Sequence, residues 1–326
     1  RLDAFPDEGA AIDRWLELAR EVAGGMRGYY LSRTLPPRIG RRAEAIFGRT
    51  ARKWFMRTTA EVLEELTDNE RLRAVLVSQW GYYGSPPSRS SFAIQALVTG
   101  HFKWGAYYPV GGSEEIARCL LQTVADAGGW TKIRADVDEI LIEGGAAVGV
   151  RLEGKDGAPG EVIRAPRIVS AAGIWATTKH MLPPRYAAAD WARSIRELPP
   201  ASAHVCLYLG FEGDIRQAGA GAANKWFCET WDTEFEAWDV APAGHPDRPL
   251  GPDGEPLPLP RAPVLYCSFP SLKDPNYDPG SGSGSRPGAD KPRHTGEVVT
   301  FVPWSVFERW RDSRWRRRAE DYEAFK

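Results

Sequence analysis

The segment from Pro109 to Gly173 constrains the fold of this 326-residue chain more than any other part. Gly111-Gly112-Ser113 precedes a run with helical spacing from Glu114 to Ala127, which Gly128-Gly129 ends. A helix that begins after glycines presents free backbone N–H groups. The segment Gly111–Ser113 is therefore either a structural turn or a place where an anion or an electron-rich ring approaches the backbone.

Short runs with strand character follow this helix. Val137 to Ile142 and Ala147 to Leu152 predict a hairpin with its turn at Gly144-Gly145. Val162-Ile163 continues the pattern, and Arg167 to Gly173 predicts a buried strand that ends in a turn of small residues. The order of helix, hairpin and strand is α/β in type.

The first 108 residues are predicted to be mainly helical. Gly24-Gly25 is expected to end the first helix, because glycine disfavours helix interiors. Helical spacing predicts Ala11–Val22, Ala51–Leu66, Leu72–Trp80 and Ser91–His101.

Two loops rich in Tyr, Trp, Gly and Pro, Trp80–Pro87 and Trp104–Pro109, flank the last of these helices. They consist either of ordinary core and turn residues or of an aromatic lining for an apolar ligand. His101 lies between them and is either structural or directed at that ligand. The candidate substrate-binding residues are Tyr82, Tyr83, Tyr107, Tyr108 and His101.

Beyond residue 200 the chain alternates between strands and loops. Ala203–Gly210 predicts a central strand, and Val264–Phe269 and Val298–Val302 predict two more. Thirteen of the 26 prolines lie in 241–295, which predicts a flexible insertion there.

Composition excludes several function classes. The 42 basic and 43 acidic residues give a net charge of −1, so no nucleic-acid partner is expected. The four cysteines form no C-x-x-C pair and no cluster of histidines lies near them, so we expect no metal site but reduced, mostly buried thiols and a cytoplasmic location. No run reaches the ~18 apolar residues of a membrane helix.

The end of the chain, Trp304–Lys326, interleaves arginines with Trp310 and Trp315. This pattern is typical either of peripheral contact with an anionic membrane or of an amphipathic helix with ion pairs, since acidic residues lie among the arginines.

Recognised catalytic and nucleotide motifs are missing from the sequence. It contains no G-x-G-x-x-G, no G-x-x-x-x-G-K-[ST], no H-E-x-x-H and no G-x-S-x-G. The residues therefore indicate neither a complete dinucleotide loop nor a catalytic nucleophile, and the catalytic residues stay unassigned.

Four pieces follow one another in a set order: Tyr108–Ala117, Ala135–Ile140, Gly145–Leu152 and Ile168–Gly173. Their order and spacing resemble the phytoene desaturase and carotenoid isomerase flavoproteins. The flanking pieces Phe5–Glu8, Ile12-Asp13, Phe269–Pro275 and Arg317–Glu323 resemble the retinol saturase branch of that group, the all-trans-retinol 13,14-reductase-like proteins.

The resemblance implies FAD as the cofactor and a mixed α/β fold. A partial Rossmann-like FAD-binding domain of the amine-oxidase and phytoene-desaturase type is expected beside a substrate domain of mixed sheet and helices. The implied domains are a helical substrate-domain segment 1–108, a part of the FAD-binding domain 109–175, and substrate-domain strands and helices 176–326. The implied cofactor-binding residues are Val137, Gly111, Gly112, Ser113, Ala171, Ala172 and Gly173.

The implied activity is an FAD-dependent oxidoreductase that saturates, desaturates or isomerises a C=C bond of a lipophilic isoprenoid such as a retinol or a carotenoid. The family's N-terminal dinucleotide loop is missing, so we expect an internal fragment that is inactive alone. Three alternatives stay open: an amine-oxidase-like flavoenzyme, a non-catalytic module that binds apolar ligands, and a peripheral membrane protein. The residues leave the oligomeric state open.

Overall fold

A computed structural model describes residues 3–154, 158–199, 201–228, 230–234, 262–278, 291–310, 313 and 322. The fold is mixed α/β, with helices and two antiparallel sheets. The chain divides into two compact units, of which the first comprises 1–115 with 201–326 and the second 116–200. The predicted FAD-binding segment 109–175 follows the resemblance rather than this division and stays a prediction.

The first unit begins with a helical layer built around one long helix. Its helices are α1 (Gly9–Thr34), α2 (Pro37–Phe47), α3 (Arg49–Phe55), α4 (Thr59–Leu66), α5 (Glu70–Val77) and α6 (Phe92–His101). Trp15, Leu18, Val22 and Met26 recur at helical spacing on α1 and are buried together. The core also takes in Phe92 of α6, which packs edge-on against Trp15.

The predicted end of the first helix at Gly24-Gly25 is wrong, because α1 continues to Thr34. Glycine serves close packing here instead. A Cβ on Gly25 would lie 2.5 Å from Cγ2 of Thr50, and one on Gly28 would lie 2.9 Å from Cβ of Phe47. The predicted helix 51–66 is likewise two helices, because α3 ends at Phe55 and Thr58 forms a capping box with Glu61 that begins α4.

Four antiparallel strands complete the first unit. They are β4 (Ala203–Glu212), β5 (Lys225–Cys228), β6 (Val264–Ser268) and β7 (Arg293–Val302), in the spatial order β4-β7-β6-β5. The two later predicted strands are confirmed by β6 and β7. The central position predicted for 203–210 is wrong: among the described residues β4 pairs with β7 alone and lies at an edge, where Tyr208 is 76% exposed.

Two further predictions, one on the cysteines and one on the insertion 241–295, are corrected by the structure. Cys119, Cys206 and Cys228 are free but exposed, so the predicted burial of the thiols is wrong for these three. Part of the predicted insertion 241–295 is ordered sheet, because β6 and the first residues of β7 lie within it. Residues 241–261 and 279–290 of that insertion lie outside the described residues, as does most of 311–326.

The second unit contains a short three-stranded sheet and several helices. Its strands are β1 (Val137–Glu143), β2 (Ala146–Leu152) and β3 (Val162–Arg164), each antiparallel to the next. The helix α7 (Glu114–Asp126) leads into this unit, and the short helices α8 (Ile174–Ala176), α9 (Pro184–Ala187) and α10 (Asp190–Arg196) follow, with a π-helical turn Thr177–Met181 after α8.

The predicted helix, hairpin and third strand of this unit are confirmed. The buried strand predicted for 167–173 is wrong, because this segment has no strand pairing and Val169 is 93% exposed. Apolar residues predict a buried strand only where a neighbouring strand supplies hydrogen bonds and cover, and the described residues supply neither.

The glycines of the helical layer give a test of close packing. Gly40 on α2 is buried, and a Cβ there would lie 2.5 Å from the carbonyl oxygen of Ser32. Gly40→Ala is expected to lower the free energy of unfolding by about 1–3 kcal/mol through overpacking. Urea unfolding measures this change.

Gly24→Ala is the matched control, because a Cβ at this helical glycine would meet no atom within 4 Å. Better helix propensity should raise the free energy of unfolding by about 0.5–1 kcal/mol. Equal effects of the two substitutions would contradict the packing of α2 on α1.

Candidate functional site

Side chains from three other segments of the chain meet around the ring of Tyr82. The ring centroid of Tyr82 lies 5.3 Å from Trp226, 6.2 Å from Tyr266, and 6.1 Å from both His101 and Phe102. We call these five residues the aromatic cluster. The structure thus brings Tyr82, one of the predicted substrate-binding residues, into contact with two strand residues that sequence analysis did not select, and a second predicted residue, His101, contacts Tyr82.

The strands position their two rings by register. Trp226 on β5 is the direct partner of Tyr266 on β6, and their ring centroids are 4.9 Å apart in an edge-on arrangement. Cross-strand aromatic pairs of this kind stabilise a sheet and hold both rings on the same face. Tyr82 follows α5 in a 3₁₀ turn, Trp80–Tyr82, that lies against this face.

A buried layer supports the aromatic cluster from below. Trp80, Val264 and Phe301 pack together in the core, and the Trp80 indole N–H donates to the carbonyl of Thr233 at 2.8 Å. A Cβ on Gly81 would lie 2.1 Å from Cζ of Phe301. Only glycine therefore fits between the two aromatic residues of Trp80-Gly81-Tyr82.

The upper side of the aromatic cluster is accessible. Tyr82 is 42% exposed, His101 is exposed, and Trp226 and Tyr266 are half-buried. Flat rings with edge-on contacts and one open side make a surface suited to an apolar, planar ligand.

The other three predicted tyrosines occupy different surroundings. The Tyr83 hydroxyl donates to Oε1 of Gln95 at 2.7 Å and lies 3.3 Å from Oγ of Ser90, and burial raises the pKa of Tyr83. Tyr107 is 89% exposed. The ring of Tyr108 lies beneath the ammonium group of Lys273, 5.7 Å from Nζ to the ring centroid.

Lys273 forms a polar cluster beside the aromatic one. Its Nζ donates to Oδ1 of Asn224 at 2.5 Å and to Oγ of the buried Ser268 at 2.7 Å; we call these three residues the polar cluster. Burial lowers the pKa of Lys273, and the carboxylate of Glu297 acts against that shift. Burial raises the pKa of Tyr266, while Ser268 and Asn224 act against this shift by hydrogen bonding.

A short motif directs Lys273 to this position. Ser271 lies in the 3₁₀ turn Pro270–Leu272, and its Oγ accepts from the Thr295 backbone N–H at 3.0 Å and lies 3.2 Å from Nδ1 of His294. These bonds fasten the turn to β7, so the next side chains point back along β6. Sequence analysis used Phe269–Pro275 as a family resemblance and missed its chemical role; a lysine inside an otherwise apolar and turn-forming motif was the available signal.

The predicted cofactor residues are distributed over both units. Gly111, Gly112 and Ser113 belong to the first unit, directly before α7, whereas Val137 begins β1 and Ala171–Gly173 precede α8 in the second. Gly111 and Gly112 have φ of 91° and 92°, a conformation that favours glycine.

Part of this backbone is open, although a Cβ on Gly111 would lie 2.8 Å from Cγ of Glu115. A Cβ on Gly112 or on Gly173 would meet no atom within 4 Å, and Ala171 and Ala172 are exposed. Small residues with an open backbone let a ligand approach the main chain closely at each of these places, taken separately.

Membrane spans and metal-binding groups are both absent from the described residues. None of the helices they form is both long and apolar enough to cross a membrane. They also hold no group of three or more His, Cys, Asp or Glu side chains arranged to bind a metal ion.

Comparison with known proteins shows which proteins this chain resembles. No protein-family model matches the chain. Curated relatives do match, and they confirm the resemblance to the retinol saturase and phytoene desaturase group.

The individual relatives are similar to this chain over different lengths. It is 30% identical to the all-trans-retinol 13,14-reductase of Rattus norvegicus over 331 residues and 29% identical to that of Danio rerio over 333 residues. Each match covers 99% of this chain and 51% of the relative, so the chain spans about half the length of these relatives. The phytoene desaturase of Cereibacter sphaeroides is 33% identical over 114 residues, 35% of this chain and 21% of the relative.

Tyr83 and Tyr107 were selected by the same sequence pattern, and their surroundings predict opposite responses. Tyr83→Phe leaves the buried Gln95 without its hydroxyl partner and should lower the free energy of unfolding by about 1–2 kcal/mol. Tyr107→Phe, at an exposed ring, should leave it within about 0.5 kcal/mol. Urea unfolding at neutral pH measures both.

The raised pKa of Tyr83 also predicts that the free energy of unfolding depends on pH. Because the folded-state pKa of Tyr83 is raised, its contribution is complete below the unfolded value of about 10 and is lost as pH rises through the folded-state pKa. Above pH ~10 the wild type should therefore lose stability more steeply than Tyr83→Phe. Parallel curves for the two proteins would contradict the buried position of this hydroxyl.

Proposed function

We propose that this chain is part of an FAD-dependent oxidoreductase that acts on a C=C bond of a lipophilic isoprenoid. The structural observation that carries the proposal is the aromatic cluster, an accessible set of flat rings above a buried apolar layer. Similarity along 99% of the chain to proteins named for retinol reduction supports it, because retinol is a conjugated isoprenoid whose planar polyene matches such rings.

The cofactor proposal rests on the residues that are open along the backbone. Gly111–Ser113, Val137 and Ala171–Gly173 would hold FAD in a Rossmann-like domain, with the glycines admitting the cofactor close to the main chain. When bound, FAD supplies the hydride chemistry, and the protein supplies binding and orientation. The phosphate-binding loop that this chain lacks would belong to a longer protein, in line with the chain's length of about half that of its relatives.

In this proposal the aromatic cluster has two tasks. The rings of Tyr82, Trp226 and Tyr266 orient the polyene by contact with its flat faces. The same rings exclude water from the double bonds, which protects the reacting carbons. Neither task needs an acid–base pair among these residues.

The first experiment measures flavin absorbance of this chain and of a form extended to the length of its relatives. We expect flavin in the extended form, and a change in the polyene absorbance of retinol or a carotenoid when that form is supplied with a suitable electron partner. Oxidation of amines with no change in polyenes would support the amine-oxidase-like alternative. Absence of flavin from both forms would favour a non-catalytic module that binds apolar ligands.

A variant at the centre of the aromatic cluster tests the substrate surface. Tyr82→Ala in the extended form should raise KM for the isoprenoid about tenfold, equivalent to ~1.4 kcal/mol, because the ring contacts the substrate face. Flavin content should be unchanged.

Tyr30→Ala is the control for this variant. Tyr30 is a similarly exposed tyrosine on α1, and it contacts Tyr29 rather than the aromatic cluster. Equal KM values for wild type, Tyr82→Ala and Tyr30→Ala would contradict the placement of the substrate on the aromatic cluster.

A further inference from the structure

The polar cluster lies directly against the aromatic one, and Tyr266 belongs to both surroundings. Its ring packs on Trp226 and Tyr82, and Ser268, two residues further along β6 on the same face, accepts a hydrogen bond from Lys273, as Asn224 also does. One face of the sheet therefore changes from apolar to polar over the width of one side chain. A ligand that follows this face meets rings first and hydrogen-bonding groups at its end.

The donors of Lys273 are incompletely used within the described residues. An ammonium group carries three N–H donors, and Asn224 and Ser268 accept two of them. The ring of Tyr108 lies at 5.7 Å from Nζ and offers its π face rather than a lone pair. One N–H is thus available to an oxygen atom supplied by a ligand.

The charges around Lys273 determine which kind of ligand oxygen it binds. Glu297 acts on Lys273 as a nearby negative charge, and it lies directly across from Ser268 in the pairing of β6 with β7. The pair of opposite charges leaves little net attraction for a carboxylate. A neutral oxygen, in a hydroxyl or carbonyl group, accepts the N–H bond without meeting the repulsion of Glu297.

We propose that Lys273 binds the neutral oxygen at the end of the isoprenoid and thereby makes this site specific for an oxygenated retinoid-type substrate over a hydrocarbon carotenoid. The inference rests on the proposed function and deepens it, because the relatives include enzymes named for both kinds of isoprenoid. Lys273 acts here as a specificity-determining residue. The aromatic cluster binds the polyene in both cases, and the polar cluster distinguishes their ends.

Binding of two matched polyenes tests this assignment without turnover. All-trans-retinol and axerophtene share the same polyene and differ by the hydroxyl group, and the fluorescence of the bound polyene reports the Kd of each without added reductant. We expect the protein to bind retinol about tenfold more tightly than axerophtene, as fits a hydrogen bond to a charged donor. Lys273→Met should abolish this preference and leave the Kd for axerophtene unchanged, whereas Lys273→Arg should retain most of it.

Lys53→Met is the matched control, because Lys53 also lies over an aromatic ring, with Nζ 4.6 Å from the centroid of Trp54, but on α3. It should bind both polyenes like the wild type. A retinol preference that survives in Lys273→Met would overturn the inference, and an equal loss of both ligands in that variant would reduce Lys273 to a structural residue. If Lys273→Met does not fold, the wild type still decides, since equal Kd values for the two polyenes overturn the proposal.

Failure of this inference can be distinguished from failure of the proposed function. A protein that holds flavin and converts retinol but shows no preference for the hydroxyl removes this inference alone. A protein that binds neither polyene and holds no flavin in its extended form removes the proposed function as well.

Discussion

The pairing of β7 with both β4 and β6 is the constraint on which the rest of the candidate site depends. Through β7, β4 joins the same sheet as β6, and β5 joins that sheet by pairing directly with β6. Side chains alternate along a strand, so the register decides which residues share a face. Glu297 and Phe301 lie on the same face of β7 as Ser268 and Tyr266 of β6, and a slip by one residue would turn Glu297 and Phe301 to the opposite side.

This shared face explains why a buried layer, an aromatic surface and a charged end follow one another in so small a region. Phe301 supports the turn at Trp80–Tyr82, Tyr266 and Trp226 continue the rings, and Lys273, bound to Ser268 opposite Glu297, ends the series. Each aromatic pair contributes about 0.5–1.5 kcal/mol beyond its buried area. The arrangement is stable because every ring touches at least one other, and it stays accessible because Tyr82 remains 42% exposed despite these contacts.

Individual helices and strands were predicted correctly where a single repeating pattern in the sequence specified them. The spacing of Trp15, Leu18 and Val22 is enough for α1, and Gly144-Gly145 between two strand-like runs is enough for the hairpin. The predicted helix end was wrong at Gly25, which packs against Thr50 inside α1. The sequence alone does not distinguish a glycine that ends a helix from one that lets a neighbouring side chain pack closely. The prediction at 167–173 was also wrong, because an apolar run does not say whether a partner strand is present.

The sequence by itself determined the mixed α/β class, the glycine-bounded helix before the hairpin, the relation to retinol reductases and phytoene desaturases, and the aromatic loops as the region to inspect. Only the tertiary structure decided that Tyr82 meets Trp226 and Tyr266 while Tyr83 is a hydrogen-bonded core residue, and that Lys273 faces the same surface. The physical reason is the distance along the chain over which each kind of interaction acts. Helix and strand periodicities act over a few neighbouring residues, whereas the site is assembled by strand pairing and ring packing between segments far apart in the chain.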